Sequence, residues 1–468
     1  MTTEAVDAKH IETIIRRVIE QLHSPQNNGE EYGVFQTLAD AVAAAQRAQT
    51  QLRTLAMRDA IIASIRKLAA EHVRELSELA VRETGFGRVE DKIRKNQLVL
   101  ERTPGSEVLV PTAITGDHGL SLVENAPWGV IASVTPSTNP SATILNNSIS
   151  MIAAGNAVVF SPHPAAKAVS QRTIQIVNQA SVSVGGPSGI VTCLESPTLE
   201  AATTLFSYPG IHLLTVTGGD AVVAAARRAT DKRLIAAGPG NPPVVVDETA
   251  DIERAAISIV QGASFDNNIV CVDEKEIVAV ESIADALKAA MVNQGAVEIT
   301  AAQADAVAQL VLRNYPGPDV SPNTEWVGRD AAKIAAAAGF EVPASTRLLL
   351  LEADHDHVFA RTEMMMPVIA MSRARTADQA IDWAVELENG NKHSAAMHSR
   401  NIDNLSRMAI EINTSLFVKN GPCLAGLGAG GEGWSSMTIS TPTGEGVTNA
   451  ATFVRKRRCT MVDTFRIV

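Results

Sequence analysis

The chain has 468 residues, 46 % of them hydrophobic and 19 % charged, with a formal net charge of −11. That apolar fraction supports large cores and excludes a globally disordered chain, and the length allows two to three domains. The acidic balance argues against nucleic acid as a partner; no apolar run reaches the roughly 18 residues of a membrane span, and no signal-peptide pattern opens the chain.

Residues 6–22 come first. Ile11, Ile14, Ile15, Val18, Ile19 and Leu22 fall on one helix face, and Lys9, Glu12, Arg16, Arg17 and Glu20 fill the other. The polar run Ser24 to Glu31 reads as a linker. A helix this short is marginal alone in water and needs a partner surface, either its own domain or another protein. The linker favours the second. Mixed charge and the lack of an aromatic anchor disfavour a membrane surface.

From Thr37 to about Glu101 the pattern is helical, opened by the capping-box-like Thr37-Leu38-Ala39-Asp40. Strand and helix then alternate. Apolar β-branched runs at 129–135, 157–160, 189–193, 211–217 and 243–246 are separated by helical stretches near 142–154, 165–180, 197–206 and 220–229. Apolar strands separated by helices predict a parallel sheet covered on both faces. In such sheets ligands sit beyond the carboxyl ends of the strands. That directs attention to Thr135 to Asn139, Ser161 to His163, Thr217 to Gly219 and Ala236 to Gly240. A second α/β pattern runs from about 240 to 440, with a strand over 274–280, an Ala-rich helix over 331–338 and strands near 346–351 and 415–418. Residues 452–468 read as extended, with the basic run Arg455 to Arg458 set among β-formers as a strand or interface.

Four cysteines, Cys193, Cys271, Cys423 and Cys459, occur without a CxxC, which leaves zinc and dithiol chemistry unsupported and suits a reducing cytosol. Cys193 and Cys459 lie in strand-like runs and read as structural. Cys271 follows Phe265-Asp266-Asn267-Asn268, a polar turn, and a thiol carried by such a loop can attack a carbonyl. Other signals point less far. Gly426 to Gly431 matches GxGxxG but has no strand–turn–helix context and reads as a loop. Asp354-His355-Asp356-His357 has no second ligand cluster and reads as a solvated loop, so no metal is expected. His393 reads as a packed or surface histidine, with a coenzyme pocket as the alternative.

Several of these loops together resemble the aldehyde dehydrogenase superfamily, and most closely its CoA-acylating branch, the ethanolamine type first and the propanediol type next. The motifs are Thr135 to Pro140, Ser161 to Pro164, Val216 to Gly219, Ala237 to Pro243, Gly262 to Cys271, Glu363 to Pro367, Ser415 to Pro422 and Thr441 to Gly446. The resemblance spans essentially the whole chain. It implies an α/β fold with a Rossmann-type NAD-binding domain over 32–107 and 124–236, a catalytic domain over 237–445 and oligomerisation strands over 108–123 and 446–468. Residues 1–22 become a targeting helix and 23–31 its linker. It also implies roles: Cys271 as nucleophile, Asn139 as oxyanion donor, Glu363 on the nicotinamide ribose, Thr217, Gly218 and Gly219 at the dinucleotide, and Thr135 and Pro136 beneath it. By itself Asn139 before Pro140 also reads as a turn residue, and Glu363 as a solvated loop glutamate.

Two departures from the hydrolytic relatives set the expected reaction. Those enzymes carry a Glu-Leu-Gly-Gly-type run whose Glu activates water. Here the aligned run is Ala236-Ala237-Gly238-Pro239, without a carboxylate. A missing base leaves an acyl-thioester to a thiol such as CoA. At Ser161-Pro162-His163-Pro164 the Lys and Glu that grip the adenosine ribose are replaced, leaving Ser161 and His163 as nucleotide contacts and loosening the choice of NAD over NADP. The expectation is a reversible enzyme converting acetaldehyde or propionaldehyde, CoA and NAD+ to acyl-CoA and NADH through acyl-Cys271. The further expectations are a homo-oligomer, dimer or tetramer, in the cytoplasm inside a bacterial microcompartment, with residues 1–22 meeting shell or lumen proteins. The competing readings are a hydrolytic aldehyde dehydrogenase and a non-catalytic cargo or scaffold protein.

Overall fold

The computed structural model describes residues 32–468; the expected amphipathic helix over 6–22 and linker over 23–31 lie outside the described residues. Two parallel sheets organise the rest. The first has six strands in the spatial order Val34–Phe35, Val191–Leu194, Ala157–Pro162, Val130–Thr135, Leu213–Thr217 and Arg233–Ala237. Alternate side chains of these strands enter different cores. Ile131, Val158, Phe160 and Leu213 pack with Ile61, Ile65, Ile149 and Ile174 from helices Leu55–Thr84, Pro140–Ala153 and Lys167–Ser183. Val130, Val159, Leu214 and Ala236 pack with Val42, Ala45, Leu205 and Ala226 from helices Leu38–Gln49, Leu199–Ser207 and Asp220–Ala229. Helices on both faces explain why the strands are apolar throughout rather than alternating.

The second sheet has seven parallel strands in the order Ala296–Glu298, Leu348–Glu352, Val368–Ala374, Glu276–Val280, Pro243–Val246, Ser394–His398 and Leu416–Lys419. One of its faces supplies Val244, Ile277 and Ile369 to the core that already holds Ile131 and Phe160, so the two halves share apolar packing. Its other face forms a separate core with Val245, Val278 and Ala370.

A three-stranded antiparallel sheet, Thr112–Gly116, Gly119–Pro127 and Val454–Val462, stands apart from both. Most of Val454–Val462 is exposed, and Arg455 to Arg458 lie on it. The strand Gly119–Pro127 runs through the expected border at 123/124, and Arg233–Ala237 runs through that at 236/237.

Most predicted elements stand within a few residues of their expected places. Helix Pro140–Ala153 starts on its proline, where the missing N–H costs nothing. Thr37 caps Leu38–Gln49 by accepting from the Asp40 N–H, while its hydroxyl donates to the Asp40 carboxylate at 2.6 Å. The strand Arg233–Ala237 escaped prediction, because only Leu234 and Ile235 in it are large and apolar. Cys193 is buried as expected, but Cys459 is exposed and packs into no core, because its strand lies on the outer sheet.

Candidate active site

Four strands of the first sheet, Val130–Thr135, Ala157–Pro162, Leu213–Thr217 and Arg233–Ala237, end at one cavity of about 330 Å³. The loops that follow them supply one wall: Thr135 to Asn139, His163, Thr217 to Gly219 and Ala237 to Pro239. Ile269, Cys271, Glu363 and Met365 close the other. The two halves of the chain thus bring a nucleophile to the carboxyl ends of a parallel sheet. Of the ten residues singled out from the sequence, nine line this cavity. The exception is Ser161, which is half-buried in its strand and faces a small crevice with Leu38, Phe160, Leu194 and Leu205. The pleat turns Ser161 away from the cavity.

Cys271 is placed by an unusual turn. Helix Ile252–Ala263 ends, and Asp266, Asn267 and Asn268 then take φ of 46°, 57° and 63°. Asp and Asn tolerate this left-handed region better than other side-chain-bearing residues. Hydrogen bonds hold the turn. Asn268 Nδ2 donates to the carbonyls of Ala263 and Glu274 at 2.8 and 2.9 Å. Asn267 Nδ2 donates to Gly328 O at 2.9 Å and Asp330 Oδ1 at 3.0 Å. The buried Lys275 Nζ donates to Asn268 Oδ1 at 2.7 Å and to the carbonyls of Asn268 and Val270 at 2.9 and 3.2 Å. Burial pushes the half-buried Cys271 thiol up to about 12, the negative charge of Glu363 adds to the rise and Lys275 opposes it. At rest the sulfur is therefore a thiol, not a thiolate.

Asn139 sits at the N-cap of helix Pro140–Ala153 and is 9 % exposed. Its Oδ1 accepts from Lys95 Nζ at 2.5 Å, and its Nδ2 donates to Thr138 Oγ1 at 3.2 Å. A side-chain amide carries two N–H groups, so one donor remains for a ligand.

The dinucleotide wall has matching chemistry. A Cβ built on Gly219 would meet nothing within 4 Å, and one on Gly218 would meet only Val222 near that limit. The protein's own packing therefore does not demand these glycines. They leave open space at the start of helix Asp220–Ala229, where backbone N–H groups suit a pyrophosphate. The buried Thr135 Oγ1 has no hydrogen-bond partner among the described residues. Exposed His163, on the cavity wall, accepts from the Ala165 N–H at 3.1 Å through Nδ1, and burial lowers its pKa. These groups fit a nicotinamide dinucleotide.

In the run Ala236 to Pro239, Ala236, the position set against the hydrolytic Glu, is buried in the apolar core and cannot present a base, so the cavity-facing position is Ala237, followed by Gly238 and Pro239. Glu363 is the only acidic side chain on the cavity wall among the described residues. Sequence reasoning missed the groups behind Cys271. Lys92, Lys95 and Asp266 form a buried cluster. Asp273, Glu274 and Glu276 are buried near Lys275, and burial raises all three carboxyls, Glu274 to about 7. The spacing of Lys92 and Lys95 on one helix face was the available signal. His393 is fully buried, and its Nδ1 lies 2.8 Å from Ser394 Oγ. A Cβ on Gly240 would touch both its ring and the Cys271 carbonyl, which places His393 close to the backbone of Cys271. Burial lowers its pKa to about 4, so the ring is neutral at pH 7. His355 stacks on Trp383 at 4.1 Å, away from the cavity.

Comparison with known proteins adds independent findings. The aldehyde dehydrogenase family model matches residues 31–308. The chain is 63 % identical over 444 residues to an acetylating acetaldehyde dehydrogenase of Bilophila wadsworthia, covering 94 % of this chain and 92 % of that one. A Rhodopseudomonas palustris propionaldehyde dehydrogenase, solved with bound CoA and an acylated cysteine, is 46 % identical with a TM-score of 0.90, over 92 % of this chain and 98 % of that one. A propionaldehyde dehydrogenase from the fucose utilisation microcompartment of Clostridium phytofermentans is 45 % identical with a TM-score of 0.90, over 93 % of this chain and all 100 % of its own.

Proposed function

This chain belongs to the aldehyde dehydrogenase family, and from that premise we propose that it is the CoA-acylating kind, converting a short aldehyde, CoA and NAD+ to acyl-CoA and NADH. Acetaldehyde is the first choice of substrate, since the acetylating relative is the more similar, and propionaldehyde the second. The observation that carries the reading is the cavity wall: Cys271 and Ala237 line the same cavity, and Glu363, assigned to the nicotinamide ribose, is the only acidic side chain on it among the described residues.

The residues then divide the work. Cys271 Sγ gives up its proton to water in the open cavity, adds to the aldehyde carbon and forms a C–S bond. The Asn139 amide and the Cys271 backbone N–H receive the oxyanion. Bound NAD+ supplies the acceptor for the hydride that leaves that carbon as the oxyanion collapses to a thioester. Glu363 holds the nicotinamide ribose, Thr217 to Gly219 take the pyrophosphate, Thr135 and Pro136 form the floor, and His163 reaches the adenosine end. The CoA sulfur then attacks the acyl carbon, the bond to Cys271 Sγ breaks, and acyl-CoA departs with the thiol restored. The proton of the CoA thiol ends on the departing Cys271 sulfur, which restores the thiol. Rates across two-, three- and four-carbon aldehydes with and without CoA test the reading. NADH must appear in quantity only with CoA, and Cys271→Ala must abolish it; acid release without CoA at the same rate would refute it.

No helix among the described residues is long and apolar enough to cross a membrane. A similar enzyme comes from a microcompartment, which supports a place for this chain inside one, with residues 1–22 as the docking helix. Deleting those residues should spare turnover and abolish co-localisation with shell proteins; loss of folding on deletion would reject that assignment. The exposed strand Val454–Val462 supports a homo-oligomer, dimer or tetramer, through pairing at the outer sheet.

A further inference from the structure

Helix Val89–Arg102 contributes no residue to the cavity wall, yet it carries two buried lysines that end beside it. Lys95 is 3 % exposed, and its Nζ donates to Asn139 Oδ1 and to Asp266 Oδ2, both at 2.5 Å. Lys92 donates to the same Asp266 oxygen at 2.9 Å and to the Thr138 carbonyl at 3.3 Å. Asp266 also accepts from the Arg88 N–H at 2.8 Å and lies in the left-handed turn that leads to Cys271. One carboxylate thus ties together the nucleophile's loop, the backbone before Asn139 and the lysine on its amide.

We propose that Lys95 is a positioning residue for the oxyanion donor: it fixes which end of the Asn139 amide faces the substrate and strengthens the N–H that does so. An amide has two faces of similar shape, and its orientation is set only by its partners. An ammonium has donors alone, so the oxygen of Asn139 must face Lys95 and Nδ2 must face away. The cation also draws electron density from the amide oxygen, which makes the remaining N–H a better donor to a developing oxyanion. A buried ion pair is costly to desolvate and is weak evidence of a stabilising role. Its placement against Asn139 gives the pair a reason to persist.

The inference rests on Asn139 being the oxyanion donor, and a double-mutant cycle separates the two. Asn139→Ala should lower kcat by roughly 10²- to 10³-fold, the usual loss for one oxyanion donor. Lys95→Met should lower kcat by on the order of tenfold or more in the parent enzyme and by less than about threefold in the Asn139→Ala background. Lys95→Arg should recover part of the loss, and NAD+ affinity and the rate of Cys271 alkylation by iodoacetamide should stay unchanged. If Lys95→Met does not fold, Lys95→Gln is read in the same cycle. Equal losses in both backgrounds, or a slowed alkylation, would mean that Lys95 only supports the fold and would overturn the inference alone. Full activity of Asn139→Ala would remove the donor assignment and the inference with it.

Discussion

Ala237→Glu places a carboxyl group at the end of strand Arg233–Ala237, on the wall that holds Cys271. The side chain enters the cavity of about 330 Å³ that Cys271 also lines. A positioned general base contributes roughly 10²- to 10⁴-fold to a proton-transfer step, or about 3 to 5 kcal/mol off the barrier to water attack on the thioester. Glu363 already places negative charge near Cys271, raising its thiol. The same field raises the pKa of a second carboxyl and puts the expected gain near the lower limit, about 10²-fold. The assay is NADH formation from acetaldehyde without CoA, with acetate measured at the end. Ala237→Glu should raise that rate about 10²-fold while CoA-supported turnover falls by no more than about tenfold. An unchanged CoA-free rate in a variant that still acylates CoA would refute the argument that a missing base decides the product. The same substitution at Ala236 should destabilise instead, since that side chain is fully buried in apolar packing.

Cys271 should be alkylated faster when NAD+ is present than when it is absent, because a cationic ring near the sulfur opposes the burial and Glu363 effects that hold its thiol at about 12; equal rates at saturating NAD+ would contradict this. His398 is buried and its pKa is lowered to about 4 from an ordinary 6.5. Its contribution to stability is present above the unfolded value and is lost as pH falls from about 6.5 toward 4. His398→Asn should therefore shrink the loss of unfolding free energy between pH 7 and pH 5 by about 2 kcal/mol, measured by urea titration at both values. Gly87 has φ of 73°, and a Cβ there would meet Asp266 Oδ1 at 1.9 Å. Gly87→Ala should cost at least about 2 kcal/mol of stability and displace the turn before Cys271, lowering kcat more than it raises the aldehyde KM; a fully active variant of unchanged melting temperature would show that the turn tolerates movement.

The parallel sheets and the loops at their ends were legible because buried strands are continuous apolar runs and the ligand side of such a sheet is fixed by topology. Nine site residues follow from that rule and the family motifs. Ser161 does not, since the pleat that turns it aside depends on register, which a motif does not encode. Lys92, Lys95 and Asp266 were hidden for another reason. The two lysines lie far from Asp266 in sequence, and a lysine on a polar helix reads as solvated until the fold buries it. The expected strand over 274–280 includes Glu274 and Glu276 but does not tell that they are buried; the place of Glu276–Val280 at the centre of the second sheet makes them and Asp273 interior.

Burial and the negative charge of Glu363 raise the Cys271 thiol, so the sulfur carries its proton at neutral pH. The ionised form is the one that attacks peroxides and disulfides, and the protonated form does so far more slowly. Before its dinucleotide binds, the enzyme's nucleophile is therefore slow to form sulfenic acid, and whatever lowers the thiol for catalysis also makes it easier to oxidise.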